Sequence, residues 1–150
     1  MGKITEILEA AHLRAKELGL PYQGAVTPQE AYTLMNSAPG TKLVDVRTRA
    51  ETDWVGKVSD SIDIEWITYP AMKMNTYFLA QLEQQVDKEA LVLFICRSGQ
   101  RSHHAAELAT RAGYTNCFNV LEGFEGDRDD TGHRNTVNGW RVAGLPWEQT

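Results

Sequence analysis

Residues 90–102 read Ala-Leu-Val-Leu-Phe-Ile-Cys-Arg-Ser-Gly-Gln-Arg-Ser, an apolar run that changes directly into a polar loop. The run from Ala90 to Ile95 has no polar member, which predicts a central strand buried on both faces. Apolar residues at helical spacing after the loop predict a helix over residues 102–112. Because ligands bind at the carboxyl ends of the strands in an open α/β sheet, we expect Cys96 at the functional edge.

Similar apolar runs lie on both sides of this segment, at residues 43–46, 62–67 and 117–121. Loops or helical stretches separate these runs, and such alternation favours a parallel sheet. Residues 24–26 are compatible with a short edge strand. The spacing of apolar residues predicts further helices at 4–18, 28–36 and 75–86.

The chain of 150 residues carries 15 Lys and Arg against 20 Asp and Glu, and 42% of its residues are hydrophobic. This composition is typical of one soluble domain, which buries roughly 70% of the surface of its unfolded chain and needs no disulfide. The two cysteines, Cys96 and Cys117, form no CxxC pair. We therefore expect neither a disulfide framework nor a zinc site, but a reducing compartment such as the cytoplasm.

Membrane and nucleic-acid partners are not expected. No apolar run approaches the roughly 18–20 residues of a membrane helix, and Lys3, Glu6 and Glu9 occupy the place of a signal peptide's apolar core. A net charge of −5 argues against a broad basic face for nucleic acid. The sequence predicts a soluble, cytoplasmic protein that is a monomer or a homodimer.

The C-terminal part of the chain loses periodicity. Residues 122–130 carry five acids and one base, which predicts a surface loop, and residues 138–147 are expected to lie back on the domain. The tryptophans form no stripe, so each is expected to be an isolated core anchor: Trp54, Trp66, Trp140 and Trp147.

The loop after the central run has the composition of an anion cradle. Gly99 allows the backbone to curl so that successive N–H groups point inward, and a helix beginning near Ser102 adds the positive end of its dipole. Arg97 and Arg101 supply two positive charges, and residues 90–106 contain no Asp or Glu. Such a setting stabilises a thiolate at neutral pH, so Cys96 is a candidate nucleophile. The alternative is an inert core cysteine.

Cys96-Arg97-Ser98-Gly99-Gln100-Arg101-Ser102 resembles the active-site loop of the rhodanese family, C-R-x-G-x-R-[ST]. Asp45-Val46-Arg47 followed by Glu51 looks like that family's D-V-R-x-x-x-E block. The resemblance extends from about residue 25 to Trp147. It divides the chain into an N-terminal helix and connector, residues 1–24, and a rhodanese domain, residues 25–150.

This resemblance implies a single α/β domain with a parallel sheet of about five strands, helices on both faces and one extra N-terminal helix. It also implies a sulfurtransferase in which Cys96 accepts sulfur from a small anionic donor such as thiosulfate and passes the persulfide sulfur to a thiol or protein acceptor. No metal or other cofactor is implied. The cradle and substrate-binding residues carried over are Arg97, Ser98, Gly99, Gln100, Arg101 and Ser102.

The sequence departs from the family pattern at Gly56–Ser61, where many members have G-H-I-P-G-A, and at Gly123-Phe124, where many have Gly-Gly. We expect the second change to reshape the pocket wall and to affect the choice of donor.

Other polar residues receive structural interpretations. We expect Asp45, Arg47 and Glu51 to form a structural ion pair, and we do not count them among the residues of the Cys96 site. Adjacent histidines on a helix point in different directions, so solvent contact or a supporting position is favoured for His103 and His104. The interpretation of Cys117 is a buried hydrophobic residue, with a resolving thiol as the alternative.

Two other functions use similar loops. Cysteine phosphatases and arsenate reductases also combine Cys with Arg, but the phosphatase signature is one residue longer between them than the segment from Cys96 to Arg101. A rhodanese-like interaction module is a non-catalytic alternative, although such modules can lack the nucleophile that is present here.

Overall fold

The structure is a computed structural model that describes residues 2–150. Its helices are α1 (Lys3–Leu18), α2 (Pro28–Ser37), α3 (Arg49–Trp54), α4 (Phe78–Gln85) and α5 (Gln100–Arg111). Its strands are β1 (Gly24–Val26), β2 (Lys42–Asp45), β3 (Ile62–Asp63), β4 (Ile67–Thr68), β5 (Lys73–Met74), β6 (Leu91–Ile95) and β7 (Asn116–Val120).

The predicted central strand, β6, lies in the middle of a five-stranded parallel sheet with the order β1-β7-β6-β2-β3. Leu93 pairs with Leu43 of β2 on one side and with Phe118 of β7 on the other. The last four residues of β6, Val92 to Ile95, are buried. The run is therefore continuously apolar because β6 is buried on both faces of the sheet, as predicted.

Two hydrophobic cores cover the two faces of the sheet, as the alternation of β6 side chains requires. Val92 and Phe94 face the first core, together with α4 and α5. Leu93 and Ile95 face the second core, together with α1 and α2. This arrangement confirms the predicted α/β fold with helices on both faces, and the N-terminal helix is one of those that pack on it.

Residues 62–67 do not form the single strand that the apolar run predicts. Only Ile62 and Asp63 pair with β2 in the sheet. The chain then turns outward, and Ile67 pairs antiparallel with Met74 in a separate hairpin of β4 and β5. Ile64 and Trp66 still donate backbone hydrogen bonds along the β2 edge, so the departure from the sheet is gradual.

Helices α4 and α5 begin three and two residues, respectively, from their predicted first residues. The Asn75 side chain accepts a hydrogen bond from the Tyr77 N–H at 3.0 Å, so a turn occupies residues 75–77 and α4 begins at Phe78. In the other case, α5 begins at Gln100 because Gly99 takes a left-handed conformation, with φ of 108°, and turns the chain directly into the helix. Gln100 and Arg101 therefore belong to the first helical turn.

The C-terminal segment packs on the domain, as expected, but residues 122–130 are not wholly a surface loop. Phe124 is fully buried, and so is Trp140, whose backbone N–H donates to the Gly123 carbonyl at 2.9 Å. The interpretation of every tryptophan as a core anchor is wrong for Trp54, which is 76% exposed. Within residues 2–150, no helix is both long and apolar enough to cross a membrane.

Candidate active site

Cys96 directly follows β6 and is the first residue of the predicted loop, which folds around its sulfur atom. Cys96 is only 1% exposed. The Gly99 N–H donates a hydrogen bond to Cys96 Sγ at 3.1 Å, and Ser102 Oγ lies 3.3 Å from the same sulfur atom. A strand end, a glycine turn and the first turn of a helix therefore converge on one sulfur atom within seven consecutive residues.

The amino-terminal end of α5 faces this sulfur without a side-chain cap. The N-cap residue is Gly99, which has no side chain that could accept a hydrogen bond from the helix, and the first turn of α5 has no acidic residue. The first N–H groups of a helix have no partner within the helix, and they carry the positive end of its dipole. The Cys96 loop can therefore bind negative charge with backbone groups alone.

A second loop holds the carbonyl groups of the cradle away from the sulfur. The N–H of Phe124 donates to the Cys96 carbonyl at 2.8 Å, and the N–H groups of Glu125 and Gly126 donate to the Arg97 carbonyl at 3.0 and 3.2 Å. Gly123 has φ of 68°, and a Cβ atom there would lie 2.6 Å from the Cys96 and Arg97 carbonyl oxygens. Glycine is therefore required at 123, because this close approach leaves no room for a side chain.

Phe124 does not form a pocket wall, contrary to the expectation from the departure at Gly123-Phe124. Its side chain is fully buried and joins the core that contains Trp140. The Arg47 guanidinium lies 4.3 Å from the centre of the Phe124 ring. The substitution therefore affects the packing beneath the cradle.

A buried polar network that the sequence analysis missed connects the cradle to β7. Ser102 Oγ donates to Asn119 Oδ1 at 2.6 Å, and Asn119 Nδ2 donates to the Gly99 carbonyl at 3.2 Å. Asn119 is 4% exposed. The available signal was a single amide within the apolar run 117–121, since a buried polar side chain requires hydrogen-bond partners.

The structure separates the two arginines of the loop. Arg97 is exposed, and its guanidinium makes no hydrogen bond or ion pair with residues 2–150. Arg101 is largely buried and donates two hydrogen bonds to the Glu51 carboxylate, at 2.7 and 2.9 Å. The acid-free stretch around Cys96 therefore does not leave two uncompensated positive charges, because α3 supplies an acid from elsewhere in the chain.

Glu51 forms a structural ion pair, as predicted, but its partner is Arg101 of the Cys96 loop, whereas Asp45 pairs with Arg47. The same carboxylate accepts the Thr48 N–H at 3.0 Å in a capping box that begins α3. Burial alone raises the pKa of Glu51, but the hydrogen bonds and charge of Arg101, together with Thr48, lower it to about 2. Glu51 is therefore ionised and ties Arg101 to α3.

Asp45 and Arg47 do form the expected structural pair. Arg47 Nη2 donates to Asp45 Oδ2 at 2.7 Å and to the Gly56 carbonyl at 2.8 Å. Both side chains are at most 1% exposed. The pair fixes the chain as it leaves β2, on the path that leads to Glu51.

His103 and His104 lie closer together than expected, with ring centres 5.3 Å apart. With Glu107 they form a cluster whose potential metal-ligand atoms lie within 4.8 Å of one another. His103 Nδ1 is also 2.7 Å from the Tyr22 hydroxyl. This cluster lies on α5 beyond the cradle, where His104 is exposed and His103 is half-buried, which agrees with the predicted solvent contact or supporting position.

Cys117 is a buried hydrophobic residue and cannot resolve an intermediate on Cys96. It is fully buried, and burial raises the pKa of its thiol to about 11. In the sheet register Cys117 lies opposite Val92, four residues before Cys96. At about 3.3 Å per residue, the two cysteines are separated by roughly 13 Å along the sheet. A disulfide spans at most about 7 Å between Cα atoms.

Comparisons with known proteins identify this arrangement. The family model for the rhodanese-like domain matches residues 27–129. The chain is 36% identical over 124 residues to an uncharacterized protein of Rickettsia conorii, covering 79% of this chain and 92% of that protein. It is 26% identical over 103 residues to the thiosulfate sulfurtransferase GlpE of Haemophilus influenzae, covering 67% of this chain and 84% of that enzyme.

The crystal structure of Rv0390 from M. tuberculosis is also similar, with a TM-score of 0.79 and 43% identity over 86% of this chain and 99% of that one. The family match includes the Cys96 loop and four of the five strands of the parallel sheet. The chain therefore belongs to the rhodanese-like domain family.

Proposed function

We propose that this protein is a sulfurtransferase that moves a sulfane sulfur from a donor such as thiosulfate to a thiophilic acceptor through a persulfide on Cys96. One observation carries the proposal. Cys96 Sγ accepts the Gly99 N–H at 3.1 Å at the uncapped amino-terminal end of α5. Backbone donors that point at a sulfur atom stabilise negative charge on a thiolate and on a persulfide.

The reaction has two displacement steps. The Cys96 thiolate attacks the outer sulfur of thiosulfate, a new S–S bond forms, and the S–S bond of the donor breaks with its electron pair leaving on sulfite. An acceptor thiolate then attacks the terminal sulfur of the Cys96 persulfide and releases the Cys96 thiolate. The protein supplies the nucleophile and the fixed donors, and no net redox partner is needed in either step.

Ser102 can respond to the charge on Cys96. Its hydroxyl has one proton, and in this structure that proton is directed to Asn119 Oδ1. Ser102 Oγ also lies 3.3 Å from Cys96 Sγ, in a contact where either atom can donate. Rotation of the Ser102 hydroxyl toward the sulfur provides a second donor to negative charge there, beside the Gly99 N–H, at the expense of the hydrogen bond to Asn119.

The two arginines have different parts in this proposal. Exposed Arg97 is the direct charge partner of an anionic donor. Arg101 holds the first turn of α5 against α3 through Glu51. The sequence similarity to GlpE, a thiosulfate sulfurtransferase, supports the proposed activity.

The phosphatase alternative receives no support from this geometry. Such enzymes need a free guanidinium to bind the phosphoryl oxygens. Here Arg101 is already engaged by both carboxylate oxygens of Glu51. The loop from Cys96 to Arg101 also has one residue fewer than the phosphatase signature.

Intact-protein mass spectrometry after incubation with thiosulfate tests the proposal. We expect one added sulfur on the native protein and on Cys117→Ser, and no addition on Cys96→Ser. Excess dithiothreitol should remove the added sulfur. No addition to the native protein with thiosulfate or another sulfane donor would support the interaction-module alternative.

The expectations of a cytoplasmic location, a monomer or homodimer, and no membrane or nucleic-acid partner remain predictions from the sequence.

A further inference from the structure

His103, His104 and Glu107 form a cluster on α5 that the proposed sulfur transfer does not use. Glu107 lies four residues after His103 and three residues after His104, and side chains at these two spacings share one face of a helix. Helical side chains also lean toward the amino-terminal end, which carries the Glu107 carboxylate back toward both rings. The potential ligand atoms of the three residues therefore lie within 4.8 Å of one another.

Two imidazoles and one carboxylate are a donor set for a divalent transition-metal ion. Zn²⁺ takes such ligands at about 2.0–2.2 Å, commonly three from the protein with one position left open. Ligand atoms around that ion lie roughly 3.3 Å apart, so a movement of about 1 Å by each side chain closes the cluster on it. Ca²⁺ and Mg²⁺ take oxygen ligands, which the two histidines do not provide. None of the ligands is a cysteine, so the spacing of Cys96 and Cys117 does not bear on this site.

Tyr22 holds one of the two histidines in an orientation that suits a metal ligand. Its hydroxyl is 2.7 Å from His103 Nδ1, and the two rings meet edge to face with centres 5.3 Å apart. Tyr22 is 6% exposed, so this contact comes from the core of the protein. Because the hydroxyl occupies Nδ1, Nε2 is the nitrogen left for a metal. A metal-bound histidine almost always has such a hydrogen-bond partner on its other ring nitrogen.

The surroundings leave room for an ion and its remaining ligand. A cavity of about 400 Å³ is lined by both histidines and by Tyr22. His104 is exposed, and His103 and Glu107 are half-buried, so the ion reaches the cluster from solvent. Arg111 Nη2 lies 3.1 Å from Glu107 Oε2 and competes for that carboxylate. The Arg111 side chain is 76% exposed, and because such a surface ion pair contributes little, a divalent ion displaces it.

We propose that His103, His104 and Glu107 bind a divalent first-row transition-metal ion, represented by Zn²⁺, with a fourth position open to water or to a ligand in the cavity. The site begins directly after Ser102 of the cradle, and the His103 N–H donates to the Gly99 carbonyl at 3.2 Å. Metal binding here does not depend on sulfur transfer, since no ligand comes from the Cys96 loop.

Calorimetric titration with Zn²⁺ tests the site in the full chain without a histidine tag. Because a thiolate also binds Zn²⁺, the titration uses Cys96→Ser, in which the remaining cysteine, Cys117, is buried. We expect one Zn²⁺ per chain. Adding His104→Ala or Glu107→Gln should weaken the affinity by at least about tenfold, since losing a ligand costs no less than losing an outer hydrogen bond. His12→Ala is the matched control, because His12 is an exposed histidine on α1, and it should leave the affinity unchanged.

The hydrogen bond from Tyr22 gives a second, more specific test. Tyr22→Phe keeps the ring that packs on His103 and removes only the hydroxyl, so it should weaken Zn²⁺ binding about tenfold without loss of helical circular dichroism. Nitrogen NMR of the His103 ring in the Zn²⁺ complex should show the metal on Nε2 and the proton on Nδ1.

Co²⁺ identifies the ligand atoms in the same Cys96→Ser protein. We expect visible d–d absorption without a thiolate-to-metal charge-transfer band in the near ultraviolet. A thiolate band would overturn the proposal by placing the metal on Cys117. It would also be overturned by no Zn²⁺ binding, or by equal affinity with and without His104→Ala and Glu107→Gln. One ion per two chains with a Zn²⁺-dependent dimer would overturn it too, because the ligands would then come from two copies.

Discussion

Cys96 and Cys117 lie at or beside neighbouring strands of one sheet, and both are buried, at 1% and 0% exposure. Their surroundings differ in what replaces the lost water. Cys96 has the Gly99 N–H, the Ser102 hydroxyl and the uncapped end of α5. Both cysteines border the apolar core of α4 and α5, but for Cys117 burial outweighs a hydrogen bond with Thr110 and raises the pKa of its thiol to about 11.

Burial alone therefore does not decide whether a cysteine can react. An apolar pocket removes water and offers nothing to a negative charge, whereas a strand-to-helix turn removes water and supplies fixed N–H donors. The same sheet contains both cases because β7 holds Cys117 within its length and the chain leaves β6 just before Cys96.

The largest expected difference between the two cysteines is in turnover. Cys96→Ser should lower thiosulfate:cyanide sulfur transfer to background, about a thousandfold or more, because the hydroxyl is a poor nucleophile. Cys117→Ser should keep most of the activity. Circular dichroism of both variants checks the fold. Equal loss in two folded variants would show that Cys117 takes part in the mechanism.

Alkylation measures the same contrast without a sulfur donor. Iodoacetamide should modify Cys96 at least about a hundredfold faster than Cys117 in the folded protein, because only Cys96 lies at the uncapped end of α5, where the Gly99 N–H donates to its sulfur. Peptide mapping by mass spectrometry gives both rates. In denaturant the two rates should converge, and equal rates in the native protein would contradict the difference drawn here.

Substitution of each arginine tests whether its charge contacts the donor directly or supports the first turn of α5. Arg101→Ala should lower kcat with thiosulfate by about 10- to 1000-fold, because it frees the first turn of α5 and leaves Glu51 buried without its partner. Arg97→Ala should act mainly by raising KM. Glu51→Gln should share the Arg101→Ala phenotype in milder form. Unchanged kinetics in all three variants would mean that backbone groups alone bind the donor.

Lowering the pH should protonate Glu51 and so reduce the free energy of unfolding, with a smaller effect than the substitutions above. Its pKa is about 2 in the folded protein and near 4.5 in an unfolded chain, so its stabilising contribution is complete above pH 4.5 and is lost as the pH falls toward 2. The difference in free energy of unfolding between native protein and Glu51→Gln should therefore shrink over that range. Urea denaturation at pH 7, 4.5 and 3 tests this; a difference that is constant with pH would contradict the ion-pair assignment.

Several features of the site were predictable because they are local. The position of Cys96 follows from an apolar run that ends in a glycine-containing loop, and the parallel sheet follows from the alternation of strands and helices. The hairpin of β4 and β5 was not predictable in this way, since residues 62–67 are continuously strand-like and only packing makes the chain turn outward after Ile64.

Local sequence is enough to place the proposed nucleophile, Cys96, and its cradle, because the strand end, Gly99 and the first turn of α5 are consecutive and their geometry depends on backbone preferences. Which charges remain free, and what surrounds the cradle, depends on contacts between distant parts of the chain. Glu51 is 50 residues from Arg101, and Asn119 is 17 residues from Ser102. A cavity lined by Arg97 and Arg101 likewise brings Trp54 together with Tyr69 and Met72. Such contacts depend on how α3, β7 and the hairpin pack around β6, which no local pattern specifies.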